Sequence, residues 1–156
     1  MSEIFQPLNL PPYPFKLRLV DNGHEIFDEV RGKWLLCTPE EWVRQHFVMY
    51  MLKSLGYSAG YLAIEIGLTV NQQKKRADIV VYNPNRSPVM IVECKSAKIK
   101  LGTSTFEQAA RYNMALKVPF LVITNGLEHY CAQIDHTTET WGFVDQIPTW
   151  DQIQNY

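Results

Sequence analysis

Cysteine is scarce in this sequence, and the spacing of its cysteines and histidines argues against a disulfide framework and a zinc site. The chain has 156 residues and three cysteines, Cys37, Cys94 and Cys131. An odd number of cysteines without C-x-x-C spacing argues against a disulfide framework and favours a reducing compartment. The four histidines lack zinc-binding spacing, so the sequence predicts no zinc site.

Long apolar runs, a phosphate-binding loop and a strong net charge are also missing. No apolar stretch approaches the ~20 residues of a membrane helix, and the proline-rich amino terminus lacks the layout of a signal peptide. We therefore expect a cytoplasmic protein with no membrane partner. Because the formal net charge is -1, polyanion binding needs a local basic patch. Without a GxxxxGK[ST] motif, any ATP-driven step must come from another chain.

The composition, 46% hydrophobic and 20% charged residues, is that of an ordinary globular protein, and the length suits one domain. We expect an arm and a hairpin over residues 1–30, a core over 31–145 and a tail over 146–156. The turn signal Asn22-Gly23 predicts the small amino-terminal hairpin.

A second hairpin, over residues 76–95, is the most informative part of the sequence. Two apolar, β-branched runs, 77–82 and 89–92, flank the turn-forming residues 83–88. Both strands are apolar on both faces, which is typical of the middle of a layered α/β domain.

The register of this hairpin decides where its charged residues lie. A symmetric loop predicts three cross-strand pairs: Tyr82 with Val89, Val80 with Ile91, and Asp78 with Glu93. Opposed carboxylates destabilise a sheet unless a proton or cation lies between them, and Lys95 points to the same face. The three groups therefore predict a divalent metal site. Two alternatives stay open: a one-residue slip would separate the acids, or both acids are solvated strand ends paired with Arg76 and Lys95.

Two helices are predicted to flank the sheet. Thr38 and Pro39 begin the first helix, which runs about 17 residues to Gly56. Its Glu41 is either part of a capping box or part of the metal site. The second helix is predicted from about Thr105 to Lys117, with Gln108 and Tyr112 on one face; they are either functional, or a cap and a half-buried tyrosine.

Basic residues occur on both sides of the central hairpin, at Lys74, Lys75 and Arg76 and at Lys98 and Lys100. Such a charge run is either a solvated loop or a phosphate-contacting surface. The element order helix, strand, hairpin, helix, strand predicts an α/β fold, with a mixed central sheet flanked by helices and an amino-terminal β-hairpin extension.

Asp78, then Glu93-Cys94-Lys95 after a hairpin, followed by Gln108-x-x-x-Tyr112, resembles the PD-(D/E)xK nuclease superfamily, with its restriction-endonuclease-like αβββαβ core. Ala77 stands where the name of that superfamily has proline. The segments 38–45, 75–82, 91–95 and 124–126 look most like the amino-terminal nuclease domain of type I restriction enzyme R subunits. The resemblance covers roughly residues 30 to 130.

The resemblance implies Mg²⁺ ligation by Asp78 and Glu93, with Mn²⁺ as a substitute, the Cys94 carbonyl as a third ligand, and Glu41 contacting the metal through water. Lys95 would activate the attacking water, and Gln108 and Tyr112 would position Lys95 or the DNA. The implied partners are DNA and the motor, specificity or methyltransferase subunits of a restriction-modification system.

The all-oxygen ligand set independently favours Mg²⁺ or Mn²⁺ over zinc, and a hard cation suits phosphodiester hydrolysis. The first hypothesis is therefore a metal-dependent DNA endonuclease. The alternatives are a catalytically silent nucleic-acid-binding or assembly module with the same fold, and a structural domain that binds an adventitious cation.

Overall fold

The computed structural model describes residues 5–70 and 72–156, without the side chains of Val70, Tyr112 and Ala115. Near the amino terminus, three antiparallel strands form a small sheet: β1 (Leu17–Val20), β2 (Gly23–Asp28) and β3 (Lys33–Leu36). The predicted hairpin around Asn22-Gly23 is therefore confirmed, and the apolar run before the first helix adds a third strand to it.

The main sheet has six strands in sequential order: β4 (Leu62–Val70), β5 (Gln73–Tyr82), β6 (Pro88–Cys94), β7 (Phe120–Thr124), β8 (His129–Asp135) and β9 (Thr140–Val144). Among the described strands only β6 and β7 pair in parallel. The helix between them is α2 (Thr103–Leu116), while α1 (Pro39–Ser54) precedes β4 and α3 (Trp150–Ile153) follows β9. The predicted α/β class with a mixed, helix-flanked sheet is confirmed.

Both faces of the central strands are buried, which explains why their sequences are apolar throughout. On one face, Val43 and Phe47 of α1 pack against Ile79 and Val92. On the other, Phe106 of α2 packs within a cluster that includes Val80 and Ile91. The sheet is therefore a middle layer between two helices.

Helix α1 begins as its sequence predicts. The Thr38 hydroxyl accepts a hydrogen bond from the Glu41 amide at 3.0 Å, and Pro39 occupies the first turn. This stabilises the amino end of the helix because a free amide gains an acceptor. The Glu41 side chain turns towards Arg31 and Arg44 instead of back to the cap.

Three local details differ from the expectation. The basic segment before Asp78 is strand from Gln73 onward and not loop, because it pairs with β4. Helix α2 begins at Thr103 after Gly102, two residues before the predicted start near Thr105. The β5–β6 register matches the prediction at Val80 and Ile91 but shifts at the loop, where Tyr82 pairs with Pro88 instead of Val89.

The turn between β7 and β8 predicts a measurable stability difference between two glycine variants. Gly126 has φ +84°, and a Cβ there would lie 2.8 Å from Leu8 Cδ2 and 3.1 Å from Val43 Cγ2. Gly32 has φ +68° but nothing within 4 Å of a built Cβ. We expect Gly126→Ala to lower the free energy of unfolding by about 2–3 kcal/mol, against about 1 kcal/mol for Gly32→Ala, in urea titrations. Equal losses would mean that packing around Gly126 relaxes freely.

Candidate metal-dependent active site

Asp78 and Glu93 lie at the end of the β5–β6 ladder. The last paired residues of the ladder are Ile79 and Val92, and the two acids are the next residues along each strand. Asp78 Oδ2 accepts a hydrogen bond from the Cys94 amide at 2.8 Å. The Asp78 carboxylate thus accepts a hydrogen bond from a main-chain amide at the point where the regular pairing of the strands stops.

The carboxyl group of Glu93 is largely removed from solvent and lies near another acid. Burial, followed by the nearby charge of Asp78, raises the pKa of Glu93 to about 7, whereas Lys95 acts in the opposite direction. The pKa of Glu40 is also raised, first by burial and then by Asp78. Burial and neighbouring negative charge therefore both disfavour the ionised form of Glu93.

Lys95 follows the strand that carries Glu93, and its own backbone holds it in place. The Lys95 amide donates to the Thr124 carbonyl at 2.8 Å, which ties the end of β6 to the end of β7. A cleft of about 270 Å³ opens at this edge of the sheet. The residues that line it are Lys75, Arg76, Glu93, Lys95, Thr105, Gln108, Ala109 and Ile123.

The structure thus brings several of the predicted site residues to one cleft. Gln108 is exposed on α2 and faces the cleft together with Glu93 and Lys95. The backbone of Tyr112 lies one turn further along α2, and its side chain is outside the described part of the structure. The roles assigned to these residues stay predictions.

The predicted basic residues differ in their relation to the cleft. Lys75 and Arg76 line it, and Arg76 Nε also donates to the Glu65 carbonyl at 3.3 Å. Lys74, Lys98 and Lys100 are exposed but do not line it.

Glu41 is paired with two arginines, one of which also contacts Asp78. Its carboxylate contacts Arg44 Nη1 at 2.8 Å and Arg31 Nη2 at 3.5 Å, and it is buried. The neighbouring residue Glu40 is the helix carboxylate whose pKa responds to Asp78 and Lys95. Successive helical residues point about 100° apart, so Glu40 and not Glu41 faces the acidic pair. Contact of Glu41 with a metal stays a prediction of the resemblance.

Arg44 is a residue of this site that the sequence did not single out. Its side chain is 7% exposed. It lies on α1 directly after Val43, among the buried residues of that helix. Nη2 lies 2.8 Å from Asp78 Oδ1 and 3.1 Å from Glu40 Oε1, while Nη1 lies 2.8 Å from both Glu41 and Glu65. A charged residue within an apolar helical face was the available signal.

Magnesium fits this donor set through few protein ligands. Among the described residues, no group of three or more His, Cys, Asp or Glu side chains is arranged to hold a metal ion. Mg²⁺, however, commonly keeps several waters and uses one or two carboxylates. Asp78 and Glu93 meet that need, because they supply two carboxylates at the same end of the β5–β6 ladder.

The pKa of Glu93 gives the stability of the protein a defined pH dependence. The folded-state pKa of about 7 exceeds the ordinary value of 4.5, so the contribution of this carboxyl is greatest below pH 4.5 and is lost as the pH rises through 7. We expect the wild type to lose roughly 3 kcal/mol of unfolding free energy between pH 4.5 and 8 relative to Glu93→Gln. Urea titrations with a chelator at both pH values check this, and parallel pH profiles for the two proteins would contradict it.

The architecture and the cleft define a mixed α/β domain with a carboxylate and lysine site at one sheet edge, and a solved structure shares this fold. A fragment attributed to an HsdR subunit of a type I restriction enzyme from Vibrio vulnificus YJ016 superposes with a TM-score of 0.54 at 24% identity. The match covers 74% of this chain and 24% of that chain, so the present chain corresponds to a minor part of the larger protein.

The sequence match is more specific than the fold. Residues 39–148 match the family model described as the type I restriction enzyme R protein N terminus (HSDR_N). This match spans more than half of the chain, and the chain therefore belongs to that family. The recognised resemblance to R-subunit amino-terminal domains is confirmed at this level.

No curated protein matches the chain. In the described part of the chain, the helices are too short or too polar to span a bilayer. All three cysteines are free and buried, as expected for a protein without a disulfide framework.

Proposed function

We propose that this domain is a Mg²⁺-dependent endonuclease that hydrolyses DNA phosphodiester bonds within a type I restriction system. The observation that carries the proposal is the placement of Asp78, Glu93 and Lys95 at one sheet edge, where Glu93 retains a raised pKa. Membership of the R-protein family supports a restriction-related role. The specific chemistry rests on the site.

Asp78 and Glu93 would hold the metal ion, with the Cys94 carbonyl as a further oxygen ligand. When bound, Mg²⁺ supplies positive charge for the scissile phosphate and acidifies a coordinated water. Mn²⁺ would serve in its place. Glu40, which lies near Asp78, would complete the negative surroundings of the ion.

Lys95 would orient the attacking water and balance the charge that develops on the phosphate oxygens. The water oxygen forms a bond to phosphorus as one P–O ester bond breaks, which yields a phosphate monoester and a hydroxyl group. Gln108 faces the same cleft and would position Lys95 or the DNA backbone, and Tyr112 is assigned a similar role through the resemblance.

The basic side chains at the cleft suit a polyanionic substrate. Lys75 and Arg76 line it and would contact phosphates directly. Lys74, Lys98 and Lys100 are exposed and would extend the contact along the strand. Because these are backbone contacts, sequence choice would come from the specificity and motor subunits, with which we propose that the domain assembles.

A plasmid assay tests the proposal. Supercoiled plasmid is incubated with the wild type or with Asp78→Ala, in Mg²⁺ or in chelator, and nicked and linear products are followed. We expect cleavage only by the wild type in Mg²⁺, since Asp78→Ala removes a metal ligand. Equal cleavage by both proteins would remove the proposed site. Binding of DNA without cleavage of any duplex, flap or single strand would favour a silent module.

A further inference from the structure

The Asp78 carboxylate is fixed at both of its oxygens. Oδ2 accepts from the Cys94 amide and Oδ1 from Arg44 Nη2, each at 2.8 Å. A carboxylate offers about four lone-pair directions, so these two contacts leave room for a further partner. Two contacts on opposite oxygens define the orientation of the group while leaving it able to bind a cation.

Arg44 is itself held from the far side of its guanidinium. Nη1 lies 2.8 Å from Glu65 Oε1 and from Glu41 Oε2, and Nε has no hydrogen-bond partner among the described residues. Arg44 reaches from α1, Glu65 from β4 and Asp78 from β5. One guanidinium therefore connects three elements that are distant in sequence.

The backbone of Glu65 is unusual for a strand residue. Its φ is +52°, in the left-handed region that side chains rarely adopt. The β4–β5 pairing passes from Ile64–Ile79 to Ile66–Ala77 and omits Glu65 opposite Asp78. A strained residue beside a functional group is a reason to look for a role of its side chain.

We propose that Glu65 and Arg44 are positioning residues for Asp78. Glu65 holds the guanidinium of Arg44, and Arg44 in turn holds Asp78 Oδ1 in the orientation that binds the metal ion. The link between this positioning role and metal binding rests on the function proposed above. The fixed orientation of Asp78 does not depend on that function. Neither residue touches the reacting atoms.

A purely electrostatic view makes a different prediction. Arg44 is a cation beside a proposed cation site, so its charge opposes metal uptake, and Glu65 as an anion favours it. Arg44→Lys keeps the charge but loses the planar fork that binds two carboxylates at once. If only charge matters, Arg44→Lys binds metal as the wild type does. If position matters, Arg44→Lys binds metal more weakly.

Hydrogen exchange in the absence of metal tests the orientation of Asp78 directly. The Cys94 amide is protected through Asp78 Oδ2, so a loosened Asp78 exposes it to exchange. We expect Cys94 to exchange about tenfold faster in Glu65→Gln and in Arg44→Lys, with the amides of residues 90–92 unchanged. Glu25→Gln removes a similar arginine-paired strand carboxylate in the small sheet and serves as the control.

Two features keep this experiment decisive. Glu65→Gly suits the left-handed backbone and should fold at least as well as Glu65→Gln while showing the same fast exchange of Cys94. Wild-type exchange of Cys94 in both Glu65 variants, or equally fast exchange in Glu25→Gln, would overturn the inference. The measurement uses neither metal nor DNA, so it stands apart from failure of the endonuclease proposal.

Calorimetric titration with Mg²⁺ alone adds the functional consequence. We expect the dissociation constant to rise about tenfold in both Glu65→Gln and Arg44→Lys and to stay unchanged in Glu25→Gln. An unchanged or tighter Arg44→Lys would overturn the link between orientation and metal uptake. If the wild type binds Mg²⁺ but does not cut DNA, the endonuclease proposal fails and the positioning role remains measurable.

Discussion

Replacing Arg44 by leucine is expected to lower the free energy of unfolding by about 3–5 kcal/mol at pH 8. The Arg44 side chain is 7% exposed, and its guanidinium contacts four carboxylates, those of Glu40, Glu41, Glu65 and Asp78. Without it, these carboxylates face one another with less compensating charge, since Arg31 lies near Glu41 and Glu65 but also pairs with Asp28. Urea denaturation followed by circular dichroism measures the loss.

The pH dependence of this loss identifies its cause. As the pH falls towards 5, carboxylates left without Arg44 take up protons, and the deficit of Arg44→Leu should shrink. Arg18→Leu is the matched control, because Arg18 is 50% exposed and pairs with Glu25 at 2.7 Å. Its cost should be about 1 kcal/mol or less. Similar, pH-independent losses for both variants would show that Arg44 contributes packing alone.

Replacing Lys95 by methionine is expected to lower the rate of DNA cleavage by about 10²–10⁴-fold, the range for loss of a positioned acid–base group. Mg²⁺ should still bind, since Asp78 and Glu93 are intact. Lys95 lowers the pKa of Glu93, so its removal should also move the pH midpoint of Mg²⁺ uptake upward. Single-turnover cleavage at saturating Mg²⁺ and calorimetry across pH measure the two effects.

A second lysine of the same loop provides the comparison for Lys95. Lys100 is exposed and does not line the cleft, so Lys100→Met should weaken DNA binding slightly and leave the single-turnover rate near that of the wild type. If Lys95→Met instead binds Mg²⁺ more weakly and its rate loss is explained by that weaker binding, Lys95 would contribute to metal binding and not to the cleavage step.

Much of the architecture could be predicted because local signals agree with the packing. The Thr38-Pro39 cap and the apolar stripe with Phe47 define α1, and β-branched runs define β5 and β6. The pairing of Val80 with Ile91 followed from loop symmetry alone. These features depend on residues close in sequence, where propensity and burial favour the same structure.

The failures occur where a distant contact or an unusual backbone decides. The polar start of β5 is strand because β4 pairs with it, which outweighs its weak strand propensity. The loop after Tyr82 is asymmetric because the Asn83 amide donates to the Ser87 carbonyl and the Asn83 side chain accepts from the Ser87 amide. No periodicity in the sequence encodes such contacts.

The candidate site was predictable only in part, for the same reason. Asp78, Glu93 and Lys95 lie on one hairpin, so their proximity follows from register. Arg44 and Glu65 come from other elements, and their meeting with Asp78 needs the full tertiary structure. The left-handed conformation of Glu65 has no signal in its neighbours.

The amino-terminal arm belongs to the same folded domain as the residues around the β7–β8 turn. Asn9 donates from its amide to the Gly126 carbonyl at 2.8 Å, and Leu8 packs on the core. The turn at Gly126 follows Thr124, whose carbonyl anchors the Lys95 amide. Similarity to the family begins at residue 39, yet residues upstream of that boundary contact the core and the β7–β8 turn. A variant trimmed to residues 39–148 would lose the Asn9 contact with the Gly126 turn, which lies next to the Thr124 carbonyl that binds the Lys95 amide.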